Sequence, residues 1–179
     1  MTTFVIEEWT PGSSNRCERN DLDMLAELLH ATVQAGASVS FVLPFSLDEA
    51  RAFWQDQVLP RVTTGTRRVL VARCDGKILG TVQLNLAMVP NQQHRAEALK
   101  LLVHPEARRR GIARALMTAV EEVARSAGRT LLTLDTVTGG QAEPLYLSMG
   151  FQLAGVIPRY ARAARSPELE AASILYKEL

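Results

Sequence analysis

Between Val103 and Met117 an apolar run, a short basic turn and an amphipathic helix follow one another without a gap: Val103-His104-Pro105-Glu106-Ala107-Arg108-Arg109-Arg110-Gly111-Ile112-Ala113-Arg114-Ala115-Leu116-Met117. That order builds an anion site. The run Ala98 to Val103 reads as a strand, Pro105 stops it, and Ile112, Leu116, Ala119, Val120 and Val123 recur at helical spacing up to Gly128. A helix is therefore expected to start near Arg109. Its first backbone N–H groups lack partners within the helix and carry partial positive charge, which suits an anion such as a pyrophosphate, and Gly111 lets that anion approach closely. Ala113 is the next smallest choice. Alone, the pattern R-x-x-G-x-A formed by Arg108, Gly111 and Ala113 is unspecific, because an ordinary strand-to-helix turn with solvated arginines carries the same residues.

Two carboxylates also ask for a reason. Glu97 lies inside the apolar-rich strand Ala96 to Val103, where an acid is unusual unless it does chemistry or pairs with Arg95 or Lys100 on an exposed face. Asp135, at the end of Thr130-Leu131-Leu132-Thr133-Leu134-Asp135, reads either as a chemical group or as a strand-end cap for the turn at Thr136. His94 and His104 read as loop residues, and no His, Cys or carboxylate spacing makes a metal site.

Composition narrows the frame. The 179 residues suit one domain, spanning 1–179, with enough apolar residues for a real core. Net charge is +1 with the signs interspersed, which argues against a global field for nucleic acid or an anionic membrane, so electrostatic recognition must be local. Cys17 and Cys74 are too few and too far apart for a zinc motif or a secreted disulfide framework, although they leave one bridge open. Glu7 and Glu8 stand where a signal peptide needs its apolar core, and no uninterrupted apolar stretch could span a bilayer. A cytoplasmic protein is the expectation.

The elements that must position these groups read as follows. Phe4 to Glu8 is a short strand, followed by the turn Pro11 to Asn15 and a helix from Asp21 with Leu22, Leu25, Leu28, Leu29 and Val33 on one face, ending at Gly36. Gly36 to Phe41 fits a lid or substrate-side connection as well as a plain bend. Ser46 with Glu49 is a capping box for a second helix through Ala50, Phe53, Trp54 and Val58, closed near Pro60. Strands Arg68 to Arg73, Ile78 to Val89 and Arg95 to Val103 form an antiparallel meander, with Asp75-Gly76 as the first turn and Pro90 to Gln93 as the second. In the middle strand, Val82, Leu84, Leu86 and Met88 face one side and Thr81, Gln83 and Asn85 the other. The strand after the Arg109 to Ala127 helix should run parallel to Ala98 to Val103 by the right-handed crossover rule, which makes the sheet mixed. Gly139-Gly140 breaks it. A short helix from about Gln141 to Met149 tolerates Pro144 only in its first turn, and Gly150 caps it. Phe151 to Ile157 and Ala171 to Tyr176 are the last strands, joined by an Arg-rich loop Arg159 to Glu170.

Strand, R-x-x-G-x-A, amphipathic helix, strand, then a short helix carrying Leu145-Tyr146 and closing on Met149-Gly150-Phe151: this succession resembles the GCN5-related N-acetyltransferases. Gly36-Ala37-Ser38-Val39, Arg95-Ala96-Glu97, Leu134-Asp135-Thr136 and Tyr176-Lys177 are similar to the tabtoxin-resistance branch of that family. The resemblance implies an α/β fold of the α+β type: a mixed, mostly antiparallel seven-stranded sheet with helices on both faces, splayed between the fourth and fifth strands. It implies acetyl-coenzyme A as co-substrate and no metal. The strand Leu101, Leu102, Val103 would hold the pantetheine arm, one of its backbone N–H groups facing the thioester oxygen. The amides of Arg109, Arg110, Gly111, Ile112, Ala113 and Arg114, next to Arg108, would hold the pyrophosphate.

Tyr146 matches the family's usual tyrosine near the sulfur. Its ordinary pKa of about 10 exceeds a thiol's at about 8.5, so a hydrogen bond to the departing thiolate is the safer role, with general acid as the formal label. The branch resemblance implies that Glu97 and Asp135 act as bases on the acceptor amine. Many members carry an asparagine seven residues before the tyrosine; here that position is Gly139. The acceptor implied is a small-molecule amine, with amino-acid-like or β-lactam antibiotics and toxins among the candidates. Protein N-termini or lysines remain the alternative, as does a noncatalytic acetyl-coenzyme A-binding module, which Tyr146 together with Glu97 argues against. A nucleotide- or RNA-binding module using the arginines is weaker still, with no phosphate-binding G-x-x-x-x-G-K-[ST] loop and no aromatic stacking motif. A homodimer is left open.

Overall fold

A computed structural model describes residues 3–12 and 15–179, with side chains from residue 20 onward in the second span. The chain runs β1 (Val5–Glu8), α1 (Asn15–Gln34), α2 (Leu47–Ala52), a π-helical segment (Phe53–Val58), α3 (Leu59–Thr63), β2 (Arg67–Cys74), β3 (Lys77–Asn85) and β4 (Arg95–Val103). It continues with α4 (Ile112–Ser126), β5 (Leu131–Val137), α5 (Glu143–Ser148), β6 (Gln152–Arg162) and β7 (Leu169–Glu178). The expected turn Pro11 to Asn15 falls partly outside the described residues, at Ser13 and Ser14, as does the side chain of Cys17.

One seven-stranded sheet has the order β1-β2-β3-β4-β5-β7-β6. All pairings are antiparallel except β4 with β5, the crossover that α4 makes. That parallel pairing is short: it covers only Arg95↔Leu131, Ala96↔Leu132 and Glu97↔Thr133. From Ala98 onward the β5-facing edge of β4 is unpaired, while Leu134 to Val137 pair on with β7. The sheet is thus splayed between its fourth and fifth strands.

Each face has its own core. Leu70, Ala72, Val82, Leu84, Ala96, Ala98, Leu132 and Leu134 meet Ile112, Leu116, Met117 and Val120 of α4. Val69, Val71, Ile78 and Leu102 meet Leu25, Leu28 and Leu29 of α1 and Phe53, Trp54 and Val58 beyond it. The alternation along β3 holds, with Val82 and Leu84 on the α4 side and Thr81 and Gln83 buried on the other, where Gln83 Oε1 accepts from Arg67 Nη1 at 2.9 Å. Ser46 and Glu49 form the expected capping box.

Several boundaries differ from the sequence expectation, each for a local reason. Helix α4 starts at Ile112, not Arg109, because a 3-10 turn (Pro105–Ala107) and a left-handed Arg109 (φ 64°) intervene. Pro60 does not close the second helix. The Leu59 N–H reaches five residues back to Trp54 O, so the widened π turn carries the chain past a residue with no donor of its own, and the helix runs on to Thr63. Strand β3 stops at Asn85, where Leu86 N–H turns away to Thr66 O. The Arg159 to Glu170 loop is half strand: β6 runs to Arg162, β7 starts at Leu169, and six residues join them.

Candidate active site

Strand β4 carries one extra residue against β3. Thr81 pairs with Leu102 but Gln83 with Leu99, and Lys100 between them has φ 52°. This bulge re-aims everything after it. Ala96 and Ala98 belong to the α4 side, and beyond the bulge Leu101 and Val103 pack on that side too while Leu102 turns to the α1 side. The strand has already left β5 after Glu97, just before the bulge, and a cleft of about 470 Å³ opens between the two strands.

The cleft gathers groups from both faces. Arg108, Met117, Ala142 and Tyr146 line it from the α4 and α5 side, and Gly36 to Ser40, Tyr160 and Glu170 from the other, with Ala98 to Leu101 and Asp135 to Val137 between. The connection after α1 is therefore on the cleft, as its small residues allowed. It is tied to the β6–β7 hairpin by Leu43 N–H to Ala164 O (2.8 Å) and by Arg165 Nη2 to Gln34 O.

The loop before α4 turns through two left-handed residues, Arg109 and Gly111. Gly111 occupies the position just before the helix with φ 82°, so its left-handed backbone, as much as its lack of a side chain, sets the first turn. A Cβ at Gly111 would meet nothing within 4 Å. Arg108, Arg109, Arg110 and Arg114 surround that turn; Arg110 Nη2 donates to Glu106 O (3.3 Å) and Arg114 Nη2 to Ser148 Oγ of α5 (2.7 Å). Ile112, 1% exposed, anchors the turn on the sheet and Ala113 is half-buried. Gly80 on β3, which the sequence did not single out, makes room for that anchor: a Cβ there would lie 2.8 Å from Ile112 Cγ2 and 3.0 Å from Leu102 O. Gly80→Val should displace the first turn of α4 at a cost of about 1–3 kcal/mol, lowering Tm by roughly 2–4 °C per kcal/mol. Thermal unfolding checks this; an unchanged Tm means that the helix seat yields freely.

Tyr146 is held by the end of its own helix. Phe151 N–H donates to Tyr146 O (3.1 Å) and Gly150 N–H to Leu147 O (3.1 Å), the two hydrogen bonds of a Schellman closure, and the Phe151 ring packs edge-on against the Tyr146 ring at 5.8 Å. The Met149-Gly150-Phe151 run thereby fixes the tyrosine ring. Lys177 Nζ braces the same corner, donating to Met149 O and to both oxygens of the buried Glu121 at 2.7 Å each. Burial, reinforced by the negative charge of Asp135, pushes the Tyr146 hydroxyl well above the ordinary tyrosine range. Gly139 N–H donates to Glu143 Oε2 (2.6 Å), and its φ of 71° is a conformation that asparagine also tolerates.

Glu97 and Asp135 part company. The β4–β5 register puts Glu97 level with Thr133, so Glu97 and Asp135 share one face of the sheet, about two residues apart along the ladder. Asp135 lines the cleft; Glu97, half-buried below it, does not. Neither expected partner takes Glu97: Arg95 donates to Thr133 Oγ1 (2.9 Å) and Gln92 Oε1 (2.8 Å), and Lys100 Nζ donates to Ser40 Oγ (2.8 Å). Nor is Asp135 a strand-end cap, since β5 runs on to Val137. Burial lowers the Lys100 ammonium below the usual lysine range, against the pull of Asp135.

These residues sit in a fold with known relatives. Residues 65–153 match the acetyltransferase (GNAT) domain model. An uncharacterized N-acetyltransferase in the hisH-hisA intergenic region of Azospirillum brasilense is 34% identical over 127 residues, which cover 69% of this chain and 73% of that one. The chain belongs to the GCN5-related N-acetyltransferases. It is an acetyltransferase with that family's fold. An N-acetyltransferase from Staphylococcus aureus Mu50 superposes with a TM-score of 0.80 at 17% identity, over 99% of each chain. The protein yncA of Salmonella typhimurium, solved with its cofactor acetyl-CoA, superposes with a TM-score of 0.76 at 17% identity, over 98% of this chain and 94% of that one.

Proposed function

We propose that this acetyltransferase moves an acetyl group from acetyl-coenzyme A to the amine of a small molecule bound in the cleft. One observation carries the reading: the splay brings Arg108 and Tyr146 from one face, and Asp135 with the Gly36–Ser40 connection from the other, onto a single cleft. Two reactants can meet there from opposite sides. The residues fit the co-substrate, because the left-handed Arg109 and Gly111 open onto the unpartnered amides of α4, and the free edge of β4 at Ala98 to Leu101 offers backbone groups to an amide-bearing arm. When bound, acetyl-coenzyme A supplies the acetyl group as a thioester, whose sulfur leaves as the acetyl group passes to the acceptor nitrogen.

The chain's own residues manage the protons. Asp135 accepts one from the acceptor ammonium, freeing the nitrogen lone pair, and Glu97, one step down the same face, receives it through water. Tyr146 holds its proton throughout the working range, because burial and Asp135 both oppose ionisation. It stabilises the leaving sulfur by donation, and the second proton, which the nitrogen sheds on becoming an amide, passes through water to that thiolate. A cleft of about 470 Å³, with loops from two sides on its rim, favours a small acceptor over a protein side chain. Amino-acid-like and β-lactam compounds are among those it would admit.

The test is thiol release from acetyl-coenzyme A with a panel of small amines, for the parent and Tyr146→Phe. The variant should lose about 10²-fold or more in kcat with coenzyme affinity nearly intact, and the deficit should stay constant from pH 6 to 9. A loss confined to coenzyme binding would make Tyr146 a positioning residue, and no release with any amine would sink the reading.

A further inference from the structure

Two charged groups on the cleft have no role in the transfer just described. Lys100 stands at the β4 bulge, held by Ser40 Oγ at 2.8 Å and lying 5.9 Å from the Phe41 ring centroid, so the lysine has a defined place at the acceptor side. It closes no ion pair among the described residues, although Asp135 and Glu97 exert their charge on it. Glu170, at the start of β7, lines the same cleft. One of its carboxylate oxygens, Oε2, is shut off from solvent and has no hydrogen-bond partner among the described residues. A desolvated carboxylate oxygen without a donor is costly, and so is a half-buried ammonium without an anion. A ligand with one charge of each sign would give Lys100 its anion and set its cation between the Asp135 and Glu170 side chains that line the cleft, where a small turn of the Glu170 carboxylate brings Oε2 to it.

We propose that the acceptor is a small zwitterion, an amino-acid-like molecule whose carboxylate is held by Lys100 and Ser40 and whose ammonium lies between Asp135 and Glu170. The inference rests on the acetyl transfer proposed above and names the acceptor class for it. The same nitrogen is thereby delivered to Asp135, which removes its proton. Lys100 and Glu170 are then specificity residues: one reads the carboxylate, the other reads the ammonium. Neither was visible as such in the sequence. Lys100 reads there only as a partner for Glu97, and Glu170 as the last residue of a loop.

Three matched sets of acceptors decide it, assayed by thiol release with saturating acetyl-coenzyme A: the free α-amino acids, their methyl esters and the corresponding decarboxylated amines. At least one acid should be preferred over its own ester and amine by about tenfold or more in kcat/KM, the worth of one charge-assisted hydrogen bond. Lys100→Met should collapse that acid-to-ester ratio and Lys100→Arg should largely restore it. Glu170→Gln should raise KM for acid, ester and amine alike, since all three share the ammonium. The ratio is taken within one protein sample, so a loss of folded enzyme leaves it unmoved. Esters or amines accepted as well as acids, or a ratio that survives Lys100→Met, would overturn the proposal while leaving the acetyl transfer standing. Silence from all three sets would remove both.

Discussion

Gly111→Val should weaken acetyl-coenzyme A binding by at least about 30-fold while the protein stays folded. The reason is conformational, because Gly111 sits at φ 82° immediately before α4 and a Cβ there meets no neighbour. Valine is β-branched, and the left-handed region costs such a residue about 1–3 kcal/mol. The chain can relieve that strain only by reshaping the turn from Arg109 to Ile112, and this turn presents the α4 amides to the proposed pyrophosphate. Each 1.4 kcal/mol of lost binding is about tenfold in affinity, and strain together with displaced donors exceeds that. Gly111→Ala should fall between parent and valine. Calorimetric titration with acetyl-coenzyme A, beside a thermal melt, separates a broken site from a broken fold. A valine variant with parental affinity would mean that the pyrophosphate lies elsewhere.

Removal of the two carboxylates should have a larger effect, carried mainly by rate. An alkyl ammonium with a pKa of about 10.4 is almost wholly protonated at pH 7, where roughly one molecule in a few thousand is the free amine. An enzyme without a base depends on that fraction. Asp135→Asn should therefore cost about 10²–10³-fold in kcat/KM at pH 7 with a true acceptor. Part of the loss should appear in acceptor binding, because Asp135 also attracts the cation before any proton moves. Glu97→Gln should cost less, about tenfold, since its proposed role runs through water from below the cleft. The double variant should lose far more than either single one, and its deficit should shrink as pH rises from 6 to 9 and free amine becomes abundant. If the double variant matches the parent at neutral pH, both residues leave the mechanism and deprotonation in solution is the simpler account.

What the sequence by itself determined lies in short spans. The R-x-x-G-x-A turn, the amphipathic α4, the Ser46 and Glu49 capping box and the link from Tyr146 to Gly150-Phe151 are set by residues within a few positions of one another, and all stand in the structure. Alternation along β3 and the crossover rule likewise placed β4 beside β5 in parallel. What only the tertiary structure decided depends on register between strands distant in the chain. A single extra residue at Lys100 exchanges the faces of Leu101, Leu102 and Val103, which no pattern in β4 announces. The same geometry places Asp135 on the cleft and Glu97 beneath it, because the β4–β5 ladder ends at Glu97 and Thr133. Gly80 matters only because Ile112, more than thirty residues later, packs onto it. Glu170 reaches the cleft only because β7 inserts between β5 and β6. Local spacing fixes which backbone conformations and helix faces are favourable, whereas the partner of a side chain on a sheet is fixed by where two strands part.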